Sequence, residues 1–152
     1  MLQTAPSTHV MVATDLCGEV FLASPVLDAR TRIAEFGGDI KGYDEVAEMV
    51  LLEGDAMRRW LSEAPAVGQV VLAEALHEVA NNCAIVGGQR CAVLARAVEI
   101  RLRKPLRFDV ASAIQAIETE LSLMLQELSC RQATRSATAH RAVTPATSSR
   151  GL

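Results

Sequence analysis

From residue 28 onward, apolar residues recur three and four positions apart, the spacing that lines one face of an α-helix. The clearest stretch is Gln69 to Val86. There Leu72, Leu76, Val79, Cys83 and Val86 step by four, three, four and three, which predicts a helix with one buried stripe. Gly87-Gly88 ends it. A preceding helix is predicted from about Asp44 to Ser62 on Val46, Met49, Val50, Met57, Trp60 and Leu61, with Gly54 as a weak point and Ala64 to Gly68 as a connection. The following helix runs from about Gln89 to Arg103, with Cys91, Leu94, Val98 and Leu102 inward, and stops at Lys104-Pro105. Asp109 caps a further helix marked by Val110, Ile114, Ile117, Leu121, Met124 and Leu128. Upstream, Asp28 caps a short helix carrying Ile33 and Phe36 and closed by Gly37-Gly38. Helices joined by short loops pack as antiparallel neighbours. The expected fold is therefore all-α: an up-and-down antiparallel four-helix bundle with a short leading helix, over residues 25–130.

The flanks carry weaker patterns. In residues 1–24, two short apolar runs are split by Asp15 and Gly18, and this N-terminal arm is given no firm structure. Residues 131–152 are rich in Ser, Thr, Ala and Arg with little to bury, so they read as a disordered basic tail.

Composition agrees with packed helices. The 152 residues suit one domain; half are hydrophobic and only 3% aromatic, so the core is aliphatic. The net charge of −3 is uneven. Every acid lies at or before Glu127, and residues 131–152 carry four Arg, which leaves −7 on residues 1–130. An acidic domain is not built for phosphate backbones, so no nucleic-acid partner is expected. No apolar run spans a membrane, and the N-terminus lacks a basic and then apolar leader, so a cytoplasmic protein is expected. Cys17, Cys83, Cys91 and Cys130 form no C-x-x-C pair and His9, His77 and His140 form no H-x-x-x-H, so no zinc site is expected.

His77 is the residue with the most chemistry to offer. It sits one position past Leu76, about 100° from the middle of the buried stripe. Its helical neighbours Ala73, Ala80 and Ala84 are short, so the ring is expected to stand above a low floor that a partner can reach. An imidazole in water is neutral for much of the time near pH 7, and its neutral nitrogen is a competent nucleophile. The bland alternative is a solvated surface His. His77-Glu78 also begins an H-E-x-x pattern, but Asn81 stands where a zinc protease needs its second His.

The wider pattern around His77 resembles the signature of histidine-containing phosphotransfer (HPt) domains. In that family the His is followed by an apolar residue at plus two, Lys at plus three, Gly at plus four, and an apolar-Gly pair at plus nine and ten. Here Val79, Val86 and Gly87 fit, as do Cys91, Leu94, Ala95, Val98 and Glu99 on the next helix. Upstream, Val26-Leu27-Asp28, Ile33 to Asp39, and Val46 to Leu52 resemble the family's first two helices, so the likeness covers roughly residues 26–130. Two positions depart: Ala80 replaces the Lys and Asn81 the Gly.

The resemblance implies a phosphorelay carrier. Nε2 of His77 would take a phosphoryl group from a receiver-domain aspartyl phosphate and pass it to another receiver. The partner is a receiver domain of a response regulator or hybrid histidine kinase. The carrier itself needs no cofactor, with Mg²⁺ expected on the receiver. Glu99 is a candidate to hold the Nδ1 side. Arg103 and Arg96 are candidates to steady the phosphoryl group in place of the missing Lys, and the Asn81 amide could donate it a hydrogen bond; the plainer role of the two arginines is an ion pair with Glu99 on a solvated face. The docking face is expected to be apolar, shallow and below about 1,200 Å², built around Ala73, Ala80 and Ala84, on a monomer. A second reading keeps the fold and drops the chemistry: an HPt-like adaptor that binds a receiver or kinase without transferring phosphate.

Overall fold

The computed structural model describes residues 6–105 and 107–143. Within them the chain forms seven helices: α1 (Thr8–Cys17), α2 (Glu19–Ala23), α3 (Ala29–Glu35), α4 (Ile40–Val67), α5 (Gln69–Val86), α6 (Gln89–Leu102) and α7 (Val110–Val143). No strand occurs among the described residues. Helix α5 packs between α4 and α6, and α7 closes against both α4 and α6. The short helices lie outside this layer: α1 on α6 and α7, α2 on α6, and α3 across the ends of α4 and α5.

The caps explain most of the boundaries. Asp28, Asp39 and Asp109 each accept from a backbone N–H three residues on, filling donors that a helix start leaves open. The end of α5 is held from three sides. Arg32 donates to the Ala84 carbonyl at 2.6 Å, Tyr43 Oη donates to the Val86 carbonyl at 2.7 Å, and Gly87 takes the left-handed conformation with φ 88°. Asp28 N–H then bonds the Gly87 carbonyl at 2.9 Å, so α3 and the α5–α6 turn form one joint. Gly88 lies so close to Met124 that a side chain there would overlap its sulfur.

Helix α4 is longer than its sequence pattern predicts. It starts at Ile40 and runs through Pro65 to Val67, where Gly68 caps it. Its buried stripe is Tyr43, Ala47, Val50, Gly54, Met57, Leu61 and Ala64, which keeps the alternation of four and three throughout. Met49, read as inward from the sequence, is 61% exposed. Helix α4 runs unbroken through Gly54. A Cβ there would stand 3.0 Å from Leu125 Cδ1, so the glycine lets α7 approach closely.

The flanks differ most from expectation. The arm folds: α1 buries Ala13, α2 buries Phe21, and both lie in the common core. Residues 131–143 are helical rather than a disordered tail. Asp44 explains it. Its carboxylate takes Arg131 at 2.8 Å and Arg135 at 2.8 Å, its carbonyl takes Gln132 at 3.1 Å, and Arg131 lies 4.7 Å over the Tyr43 ring. Three anchors in the first turns past the core let the helix run on with good helix formers. The remainder of the expected tail, 144–152, lies outside the described residues, as do residues 1–5 of the arm.

Candidate functional site

Helix α5 presents His77 midway along its outward ridge. Leu76 and Val79 are fully buried beneath it, while the His77 side chain is 47% exposed. Nδ1 of His77 stands 3.3 Å from Glu99 Oε1 on α6. Glu99 is buried, and the same oxygen takes Arg103 through Nη2 at 3.0 Å and Nε at 3.2 Å. Glu99 and Arg103 are one helical turn apart, so the carboxylate ties a cation beside the imidazole. The contact is an ion-pair distance rather than a hydrogen bond, and it sets a buried carboxylate on the Nδ1 side of the ring.

The other predicted residues separate into two groups. Asn81 is exposed one turn past His77 and accepts from Arg96 Nη2 at 3.0 Å, so Arg96 reaches across from α6 to α5. Asn81, Arg96, Glu99 and Arg103 thus converge on the α5–α6 edge that bears His77. The alanine floor does not behave as expected. Ala73 is 2% exposed and Ala80 is fully buried, because both lie on the side of α5 that turns towards α6. They cannot meet a partner; only Ala84, half-buried, remains accessible.

An apolar groove lies on the other flank of the ridge, between the C-terminal half of α4 and the start of α5. It encloses about 310 Å³ and is lined by Trp60, Ala64, Val67, Val71 and Ala75, with Glu63, Glu74 and Glu78 on its rim. Val67 and Val71 are 69% and 40% exposed. Ending α4 at Ser62 hides this groove from a sequence reading; the apolar run Ala64 to Val67 is the signal that marks it. None of the three rim glutamates pairs with a cation among the described residues.

A second polar cluster sits remote from His77, where α1 meets α7. Glu120 is fully buried; its Oε1 takes His9 Nε2 at 3.0 Å, and Arg90 Nη1 stands at 3.9 Å. Arg90 also lies 4.9 Å over the Phe21 ring. Burial pushes the Glu120 carboxyl above the ordinary range, against the pull of Arg90 and His9. The cluster clamps the arm onto the layer and carries no open site.

Cys83 and Cys91 are buried, Cys17 is pushed up to about 11 by burial, and Cys130 is exposed; all are free. Among the described residues no group of three or more His, Cys, Asp or Glu is placed to hold a metal, and no helix is long and apolar enough to cross a membrane. No family profile, curated protein or solved structure matches this chain.

Proposed function

We propose that this chain is a histidine phosphotransfer protein with His77 as its phosphoryl acceptor, and that α4 to α7 serve as the up-and-down four-helix bundle such carriers use. The observation that carries the reading is the pairing of a half-exposed imidazole with a buried carboxylate: Nδ1 of His77 lies 3.3 Å from Glu99 Oε1, and the ring stays 47% exposed. In the first transfer the Nε2 lone pair attacks phosphorus in line. The N–P bond forms, the P–O bond of the receiver's aspartyl phosphate breaks, and the aspartate leaves with its electron pair. The Nδ1 proton stays facing Glu99. The second transfer reverses these events onto another receiver's aspartate. The receiver brings Mg²⁺ and most of the charge stabilisation; this chain brings a rigid nucleophile.

Ala80, the position of the family's Lys, is buried, so the cation must come from elsewhere. Arg103 fits the role: its side chain is 55% exposed, and Glu99 holds it beside the ring. Arg96 on Asn81 is a second donor from the same edge. The reading places the protein in the cytoplasm as a monomer, with receiver domains of response regulators or hybrid kinases as partners.

The test is a phosphotransfer profile. Receiver domains carrying labelled phosphate are mixed with wild type and with His77→Gln, and acid-labile, base-stable label on this chain is counted. Label on wild type and none on the variant is expected. A panel that labels a known carrier and leaves wild type unlabelled overturns the reading. Receiver binding that persists without label would instead support the adaptor.

A further inference from the structure

We infer that the partner face this chain accepts is an apolar surface of a receiver domain bordered by Lys and Arg, selected by an acidic collar between the α4–α5 groove and His77. The inference rests on the phosphotransfer reading for the identity of the partner as a receiver; the chemistry of the face follows from the collar itself.

The geometry of α5 sets the constraint. At 3.6 residues per turn, Glu74 lies about 60°, Glu78 about 100° and Val71 about 120° around the helix from His77, all on the same side. The two glutamates therefore occupy the ridge between the phosphoryl acceptor and the apolar groove. Any partner that seats a side chain on Trp60, Val67 and Val71 while bringing a reacting group to His77 must cover Glu74 and Glu78. Glu63 closes the far rim of the groove.

None of these carboxylates has a cation of its own among the described residues, so docking strips water from charges that the chain does not neutralise. An apolar or acidic face covering them leaves buried, unpaired charge, which is strongly unfavourable. A face with Lys or Arg at the matching places turns that cost into a contact and speeds encounter. The Arg103 and Arg96 edge across α5 has the opposite sign, which suits the phosphoryl group itself. The site is thus polarised: acidic over the docking ridge, basic at the point of transfer.

Selection against the wrong partner is then electrostatic, and it predicts a salt dependence that a purely apolar interface lacks. The probes are purified receiver domains, sorted by whether the surface around their phosphorylated Asp carries Lys and Arg or Asp and Glu. Binding to the full chain is measured at low and high salt for wild type, Glu74→Lys/Glu78→Lys and Val71→Asp. All three changed positions are exposed, and circular dichroism checks the helices. The expected result is binding confined to basic-faced receivers, weakened at least tenfold by the double reversal and at least fivefold by Val71→Asp, with the salt dependence lost in the reversal. Affinity that stays within twofold on charge reversal, or that ignores salt, overturns the collar. Label reaching His77 with no charge dependence sinks the collar and leaves phosphotransfer standing. Charge-dependent binding without label supports the collar and removes the transfer.

Discussion

Replacing His9 with alanine tests why the N-terminal arm folds onto the helical layer. Glu120 Oε1 takes His9 at 3.0 Å, Arg90 stands at 3.9 Å, and Oε2 is buried without a partner. A hydrogen bond to a charged group contributes about 1.5–3 kcal/mol. Removing a partner from a fully buried pair costs more, about 3–5 kcal/mol. His9 lies at the edge of the cluster with its side chain 22% exposed, so water enters the vacated space and Arg90 still opposes the charge. The expected cost is therefore near the low end, about 2 kcal/mol. At roughly 2–4 °C per kcal/mol for a chain of this size, Tm falls by about 4–8 °C. In a Glu120→Gln background His9 faces a neutral amide, and the cost of removing it drops to about 1 kcal/mol. Urea unfolding of the four members of this cycle measures the difference. The pH dependence adds an independent sign. A carboxyl raised by burial holds its proton more tightly in the fold, so its contribution is favourable below the ordinary carboxylate range and is lost as pH rises through the folded value. Glu120→Gln does not titrate, so it gains stability relative to wild type as pH rises above the ordinary carboxylate range. A His9→Ala cost below about 0.5 kcal/mol, or one equal in both backgrounds, refutes the clamp.

Gly87→Ala should destabilise the fold by about 3 kcal/mol, because φ is 88° and the new Cβ would overlap the Asp28 backbone; thermal unfolding reads it. Asp44→Ala should release Arg131 and Arg135 and fray residues 132–143, seen as fast amide exchange there with α5 unchanged. A thiol reagent at neutral pH should modify Cys130 first and Cys17 slowly, while Cys83 and Cys91 wait for unfolding. Below the ordinary carboxylate range, α3 and α7 should loosen at their starts, since backbone hydrogen bonding from Thr31, and side-chain followed by backbone hydrogen bonding from Ser112, hold Asp28 and Asp109 low; such a contribution is present above the unfolded pKa and lost as pH falls through the folded one.

What the sequence makes legible here depends on whether the cause is local. The bounds of helix α5 are readable to the residue, since its stripe, its glycine stop and its exposed His77 all follow from local spacing, though the sides taken by Ala73 and Ala80 do not. The caps Asp28 and Asp109 are readable for the same reason. Long-range causes leave no such trace. Nothing near Arg131 says that Asp44, eighty-seven positions away, will hold it, and so an Ala-, Arg- and Thr-rich segment looks unstructured when it is helical. Gly54 reads as a flaw until Leu125 is placed against it. Glu120 occupies a core layer of α7 because His9 and Arg90 come from two other elements to meet it, and a carboxylate in a polar alternation gives no sign of that.

The site shows the same division in finer detail. His77, Glu99 and Arg103 lie on one edge because α5 and α6 are adjacent helices joined by two glycines, and that adjacency can be argued from loop length. The sides of the alanines cannot be settled that way. A stripe that steps by four and three has a centre uncertain by about 40°, less than half a residue's turn, and that decides whether Ala73 and Ala80 face a partner or face α6. They face α6, which leaves Glu74, Glu78 and Val71 on the exposed flank of His77, with a charge that an alanine floor would lack. A small rotation of one helix thus decides whether the exposed flank of His77 is a row of alanines or a pair of carboxylates beside an apolar groove.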